Sequence, residues 1–555
     1  MIERLRDHWL TIDPRSVGLF RVALGIVLLL HFSDRWSRSG DFYGPTGVLP
    51  ARLVATSHEI PRFPTVLTAI ESYPGGMTIF FAVATCAFTA LTVGLWTRGA
   101  ALVSLVAFSS LAHRNPYVLI GGDYVLGSML LWMQVLPLSD RFSWDALRRN
   151  RTGRELPDSR STSRPRPSIA ALGVFLQLGL IYLASAWQKT GSTWWPDGTA
   201  LAHVLGMQRF LHPGAELVAR LPESWLALLT RAALVFEYLV LPLILLPMAR
   251  PWLRRAALLG LAALHLGIAS VLDAGVFSIT MLACLPLLLS SQDWDWALRL
   301  EARLFGKPGF SWRRVLAERS PANKAKPDFK VRRFTFARVA MTEFASLWLL
   351  LGMVATGFNI NFAVANRDVS LAPLDLPQRF AAAYQRWDMF TPDAPKCDPQ
   401  LLVRVRLLDG RLLALQSDDE PLPVEVDLAP RFRSFAWRIY IWHAILQLDP
   451  KRREETESLR TELCRFITRE VAATDQPLRS VVADAASVGS DAGSIRHEGA
   501  TVVGTPILDG IYTVELWARS VPTRIPVGRP LPEVEPYWVS SLDLLAERRE
   551  RLARR

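Results

Sequence analysis

A lysine at the end of an apolar run is the residue most suggestive of chemistry. Lys189 is the only lysine among the first 306 residues of a chain with seven lysines and 56 arginines. An arginine cannot lose its proton near neutral pH, whereas a desolvated lysine can, so this choice of residue favours a base or a nucleophile. The alternative is an interfacial lysine whose ammonium reaches lipid head groups.

Two polar residues precede this lysine on the same predicted helix. Tyr182, Ser185 and Lys189 follow an i, i+3, i+7 spacing, which places them on one helix face. We therefore expect Tyr182 and Ser185 to line the same site as Lys189.

Four more ionisable residues interrupt other apolar runs: Arg21, Asp123, Glu237 and His265. Within a bilayer each costs about 2.5 to 3.5 kcal/mol on insertion scales, so each needs a partner or a function. Glu237 could neutralise Arg21 or stay protonated, and His265 could simply hydrogen-bond to a neighbouring backbone. Asp123 could cap the helix that it opens. Together, these residues suggest one polar cavity with Lys189.

Familiar catalytic motifs are absent from the sequence. There is no G-x-S-x-G, no H-E-x-x-H and no G-x-x-x-x-G-K-[ST]. The histidines share no ligand spacing on a common helix face, and the four cysteines form no C-x-x-C, so no metal site is predicted. Cys397 and Cys464 could pair only outside the cytoplasm.

Long apolar runs must position these residues. Half of the 555 residues are hydrophobic and the mean hydropathy is +0.20, which excludes a disordered chain and a small disulfide scaffold and indicates a membrane protein. About nine spans are predicted, near residues 17–32, 77–96, 100–112, 122–138, 169–187, 225–248, 256–272, 275–289 and 341–358.

Basic loops predict the orientation. Arginine-rich stretches at 141–166, 250–255 and 299–338 all lie on the cytoplasmic side if the N-terminus does too. The net charge of +12 then reflects topology, and no motif for nucleic acid is present. The first span lacks a small-residue cleavage site and is read as a retained helix. The predicted location is the inner (plasma) membrane.

The C-terminal part of the sequence, here called the tail, has a different residue pattern from the apolar runs. Residues 401–407 alternate, Asp409-Gly410 offers a hairpin turn, and residues 411–415 could return as a strand. Helices are predicted at 432–446 and 454–471, a strand at 512–517, a loop at 480–500 and a charged helical end at 544–555.

The predicted fold is a polytopic all-α membrane domain of about eight to nine transmembrane helices with a C-terminal extracytoplasmic α+β domain. Its parts are the membrane domain (1–290), a basic cytoplasmic linker (291–340), a last helix (341–359) and the α+β domain (360–555).

Several motifs resemble the horizontally transferred transmembrane (HTTM) domain family, the bacterial branch of the vitamin K-dependent γ-carboxylase group. The strongest match is the run from Ile181 to Lys189, where Gln188 and Lys189 stand for the carboxylases' Lys-Lys pair, whose second lysine is the base. Further matches are Asp13-Pro14-Arg15, Phe20-Arg21, Gly25, residues 116–119, Gly121-Gly122-Asp123, Trp194, Asp197-Gly198, Glu237, His265, Val276-Phe277-Ser278 and Trp387-Asp388-Met389.

The resemblance implies a function. In the carboxylases a lysine deprotonates a quinol, whose reaction with O2 yields an epoxide and a strong base that allows CO2 to add to a glutamate. The implied catalytic residues here are Lys189, His265 and Asp123, the last standing where the carboxylases have a histidine. Tyr182, Ser185, Glu237, Trp194, Arg21 and Trp387 would line the quinol pocket.

The implied cofactors are a reduced lipid quinone of the menaquinol or vitamin K hydroquinone type, O2 and CO2, with no metal. The implied partners are membrane lipids, the quinol, and an extracytoplasmic peptide or small acid as acceptor. Because the tail is shorter than a full carboxylase's, it leaves little surface for a propeptide, which disfavours carboxylation of a protein glutamate but not a quinol-dependent reaction with O2.

Two other classes of function compete with this enzyme. The first is a non-catalytic lipid- or polyprenol-binding membrane protein that keeps the pocket without the chemistry. The second is a transporter, which is disfavoured because the sequence lacks broken helices repeated in two halves.

Overall fold

The chain forms two compact units in a computed structural model. The first unit comprises Met1–Ser39, Ile60–Leu205 and Phe210–Lys396, and the second comprises Gly40–Glu59, Gly206–Arg209 and Cys397–Arg555. The structure describes residues 2–56, 63, 65–152, 167–207, 210–247, 251–305, 329–362, 371–407, 412–414, 434–441, 443, 453–473, 511–522 and 537–543.

The first unit is built from helices. The longer ones are α1 (Pro14–Ser37), α2 (Gly76–Val93), α3 (Thr97–Arg114), α4 (Gly121–Val135), α5 (Ile169–Gln188), α6 (Glu223–Leu245), α7 (Trp252–Val271), α8 (Phe277–Cys284), α9 (Ser291–Phe305) and α10 (Phe329–Asn361). Shorter helices of this unit lie at Ile2–Trp9, Val66–Ile70, Trp144–Thr152, Ala200–Val204, Gly214–Ala219 and Leu376–Phe380, whereas Ser39–Phe42 and Ala51–Thr56 lie in or at the edge of the second unit.

Within the described residues, six helices are long and apolar enough to cross a membrane: Leu5–Ser37, Gly76–Val93, Ile169–Gln188, Glu223–Leu245, Trp252–Val271 and Phe336–Asn361. This is fewer than the predicted eight to nine. The 15-residue α4 is about 22 Å long, short of a hydrocarbon core of about 30 Å. The helix α8 has eight residues before it becomes a 3-10 turn, and α3 carries Arg98 and Arg114 near its ends.

Small residues bring the central helices close together. A Cβ on Gly173 of α5 would lie 2.1 Å from the ring of Trp132 in α4, and both positions are in the interior of the unit. A Cβ on Gly179 would similarly lie 2.3 Å from Leu241 of α6. Since no side chain intervenes, α5 packs tightly against both neighbours and its C-terminal end is held in place.

The second unit contains a four-stranded sheet. Its strands are β1 (Cys397–Leu407), β2 (Leu412–Ala414), β3 (Ile511–Pro522) and β4 (Tyr537–Asp543), in the order β2-β1-β3-β4 with every pair antiparallel. Arg404 pairs with Ala414 across β1 and β2, and Leu402 pairs with Trp517 across β1 and β3.

Two helices of this unit, α11 (Phe435–Tyr440) and α12 (Arg453–Ala473), are also described. Trp437 Nε1 of α11 donates to Asp41 at 3.1 Å, and the Tyr440 hydroxyl donates to the Val48 carbonyl at 3.2 Å. Asp41 and Val48, which lie in a segment predicted only as a loop between two spans, therefore belong to the core of this unit.

Several predictions for the tail fall outside the described residues: the Asp409-Gly410 turn, the loop at 480–500, the charged end at 544–555 and the side chain of Cys397. The C-terminal α+β domain as a whole therefore stays a prediction. The boundary predicted at residue 360 lies inside the first unit, which continues to Lys396.

Candidate functional site

The predicted base lies at the end of α5 and pairs with an acid from α6. Lys189 is the first residue after α5, and its Nζ lies 2.6 Å from both carboxylate oxygens of Glu237. Lys189 is 8% exposed and Glu237 is 9% exposed. Removing one member of such a buried pair strands the other charge, so the two residues act as a unit.

An aromatic ring completes the surroundings of the lysine. The Lys189 Nζ lies 4.3 Å from the centroid of the Trp194 ring, which is a favourable distance for a cation–π contact. The indole N–H of Trp194 donates to the Phe390 carbonyl at 3.0 Å. The ammonium is thus enclosed between a carboxylate and an aromatic face, and three of the predicted residues meet.

A second contact joins α5 to α7. The Tyr182 hydroxyl lies 2.6 Å from His265 Nε2, and both side chains are buried. His265 Nδ1 makes no hydrogen bond within the described part of the chain, and the Phe277 ring packs edge-on against the imidazole at 5.4 Å. Ser185, between Tyr182 and Lys189 on α5, is half-buried.

Asp123 belongs to a different cluster. One oxygen accepts the Ile120 N–H at 2.9 Å, which confirms the interpretation of Asp123 as a residue that caps α4. The other oxygen lies 2.8 Å from His31 Nε2, and Arg35 Nη2 lies 3.8 Å from the carboxylate. All three side chains are buried.

Phe277 contacts both Gly122, which precedes Asp123, and His265. A Cβ on Gly122 would lie 2.7 Å from the Phe277 backbone nitrogen, so only glycine fits beside Asp123. The Phe277 ring packs against His265.

Arg21 is not the partner of Glu237. Its guanidinium donates to the carbonyls of Leu91, Thr92 (2.7 Å) and Phe142 (2.6 Å). Leu91 and Thr92 lie in the last turn of α2, where the carbonyls carry partial negative charge and attract a cation. This helix end, rather than an acid, accommodates the buried arginine, and Arg21 does not join Lys189.

Trp387 approaches the end of α5 from the segment that follows α10. The backbone N–H of Trp387 donates to Asn361 Oδ1 at 3.2 Å, and the same oxygen accepts a hydrogen bond from Gln188 Nε2 at 2.9 Å. Trp387 is buried, which places a second predicted tryptophan next to the residue that precedes Lys189.

Sequence reasoning missed several polar residues. His31 and Arg35 are spaced i, i+4 near the end of the first span, a signal that the inspection of apolar runs did not use. Asn361, Gln385 and Asp393 lie beyond the apolar runs and show no pattern in the sequence that links them to Lys189.

A comparison with known protein families identifies the fold. The model of the HTTM domain matches residues 9–294, just over half of the chain. The match includes Lys189, Glu237, His265 and Asp123 and ends before α10. No curated protein and no solved structure matches the chain. The chain is therefore a membrane protein of the HTTM family.

Proposed function

We propose that this protein is a membrane enzyme that uses a lipid quinol and O2, with the Lys189–Glu237 pair as the base that accepts the quinol proton. The observation that carries the proposal is the contact of 2.6 Å between Lys189 and Glu237 in a buried setting. In this proposal Glu237 takes the ammonium proton across this contact, which leaves the Lys189 amine as the base.

The residues present fit a quinol. Trp194, Tyr182 and Phe277 offer aromatic surface of the kind that packs against a quinol ring. The unpartnered Nδ1 of His265 is a buried polar atom that a hydroxyl could satisfy. When bound, the quinol supplies the reducing equivalents for O2, and the overall reaction converts the two into an epoxide and water.

Within this proposal, each residue has a role. Lys189 and Glu237 take up the proton, Trp194 shields them from water, and the Tyr182 hydroxyl orients His265. Asp123 and His31 form a second proton-accepting centre. A carboxylase would in addition use CO2 and an acidic acceptor, either an extracytoplasmic peptide or a small acid.

We further propose an inner-membrane location with the Lys189 site facing outwards. Arg149 and Arg255 belong to the arginine-rich stretches 141–166 and 250–255, whose charge favours the cytoplasmic side. Asn361, the last residue of α10, contacts Gln188, so α10 ends beside the Lys189 site. This contact supports a tail that begins on the extracytoplasmic side, and the strands and helices described after Lys396 support its α+β fold.

Epoxide formation tests the enzyme. Purified protein is incubated without oxygen with menaquinol or vitamin K hydroquinone, oxygen is admitted, and the products are analysed by mass spectrometry. We expect epoxide from the wild type and none from Lys189→Arg, because arginine keeps the charge and cannot act as a base. The matched control is Lys396→Arg, which makes the same change at an exposed lysine and should retain activity.

A non-catalytic lipid- or polyprenol-binding protein is the second candidate. It is favoured by the full pairing of Lys189 with Glu237, which is also what a structural ion pair requires. The same experiment distinguishes the two: no epoxide from a folded wild type that still co-purifies with lipid would support the binding protein.

A further inference from the structure

A segment outside the matched family domain packs against the turn that follows the lysine. Residues 385–394, here called the strap, follow α10 and the short helix Leu376–Phe380. They lie against residues 188–194, here called the lysine turn. Strap and turn both belong to the first unit. The strap begins some ninety residues beyond the end of the HTTM match, so the family domain alone does not complete this site.

One anchor joins the start of the turn to the strap through an asparagine. Asn361 Oδ1 accepts one hydrogen bond from the side-chain amide of Gln188 at 2.9 Å and another from the backbone N–H of Trp387 at 3.2 Å. The Asn361 amide donates to the Gln385 carbonyl at 2.6 Å. The end of α5 is therefore fixed to the start of the strap.

A second anchor joins the other end of the turn to an aspartate. Asp393 Oδ1 accepts both the N–H and the hydroxyl of Thr193, at 2.9 and 2.8 Å. The Thr193 hydroxyl oxygen in turn accepts the Ala394 N–H at 2.9 Å. These hydrogen bonds hold the pKa of Asp393 below its ordinary value, so the carboxylate is charged and each bond is charge-assisted.

The backbone between the anchors is also joined. The Gly191 N–H donates to the Pro392 carbonyl at 2.9 Å, and the Trp194 indole donates to the Phe390 carbonyl at 3.0 Å. Since Trp194 covers the Lys189 ammonium, its position depends on the strap.

We propose that Asp393 is a positioning residue of the Lys189 site. By holding Thr193, it fixes the lysine turn so that Trp194 covers the ammonium and Lys189 stays against Glu237. Its importance as a determinant of activity rests on the proposed function, whereas its effect on the exposure of Lys189 does not.

Chemical acylation of lysines measures that exposure directly. Full-length protein in detergent is treated briefly with acetic anhydride, and the acylation of Lys189 relative to the six other lysines is measured by peptide mass mapping. Asp393→Ala should raise the relative acylation of Lys189 about tenfold, which is the change expected from losing one to two net hydrogen bonds. Asp393→Asn retains an acceptor oxygen for Thr193 and should stay within about twofold of the wild type.

Asp388→Ala is the matched control. Asp388 lies in the same strap, but its carboxylate is directed to Arg386, so its removal should leave Lys189 protected. Unchanged acylation in Asp393→Ala, or an equal rise in Asp388→Ala, would overturn the proposal. A rise confined to Asp393→Ala would support it even if the wild type forms no epoxide, in which case only the proposed function fails.

Discussion

His31 Nε2 lies 2.8 Å from Asp123 Oδ1, which joins α1 to α4 in the interior of the helical unit. His31 is 4% exposed and Asp123 is 1% exposed. Among the described residues, direct polar contacts pair Asp123 with His31, His265 with Tyr182, and Glu237 with Lys189. Arg21 lies apart from all three.

Loss of the Asp123 charge should destabilise the fold. In Asp123→Asn, His31 and Arg35 lose their carboxylate, and breaking a buried pair costs about 3 to 5 kcal/mol. The free energy of unfolding in detergent would measure the loss. Asp7→Asn is the control, since Asp7 pairs with Arg6 at an exposed site where such a pair contributes about 0 to 1 kcal/mol. Equal losses in both variants would contradict the structure.

Tyr182 and Tyr238 offer a matched pair of hydroxyl deletions. Tyr182→Phe removes the hydrogen bond between the Tyr182 hydroxyl and the wholly buried His265 imidazole. We expect this loss to lower the free energy of unfolding by about 1 to 3 kcal/mol. Tyr238→Phe removes a 3.0 Å bond to the Ala186 carbonyl from a side chain that is 40% exposed. We expect the melting temperature to fall further for Tyr182→Phe, and the reverse order would refute the buried contact.

Double-mutant cycles can identify the partner of Glu237. Lys189→Met and Glu237→Gln should be coupled in stability, because each single change strands the other buried group. Arg21→Gln and Glu237→Gln share no partner and should be additive within about 0.5 kcal/mol. Coupling between Arg21 and Glu237 would reinstate the ion pair that the sequence suggested.

Gly191 is a steric test of the strap. A Cβ at this position would lie 2.1 Å from the Asp393 carboxyl group, so Gly191→Ala must push the strap from the lysine turn. We expect epoxide formation to fall at least tenfold if the proposed function holds, and Lys189 acylation to rise in any case. Gly267→Ala is the control, because a Cβ there meets nothing within 4 Å. A Gly191→Ala protein as protected as the wild type would show that the strap does not position Lys189.

Several features could be predicted from local sequence. Apolar runs of about twenty residues indicate membrane helices because an unpaired backbone is too costly in lipid. The i, i+3, i+7 spacing places Tyr182 and Ser185 on the helix that ends at Gln188, and Lys189 is the first residue beyond it. The motif around Lys189 also identified the HTTM family, which the family comparison confirmed.

The sequence by itself thus determined the class of protein and the helix that ends at the lysine, because these depend on composition and on periodicity within one segment, and its motifs resembled those of the family. Only the tertiary structure decided the partners: Glu237 beside Lys189 rather than Arg21, His31 beside Asp123, and Asp393 beside Thr193. These contacts join residues 48, 92 and 200 positions apart in the chain. Helix packing sets them, and no spacing within a single helix or loop encodes them.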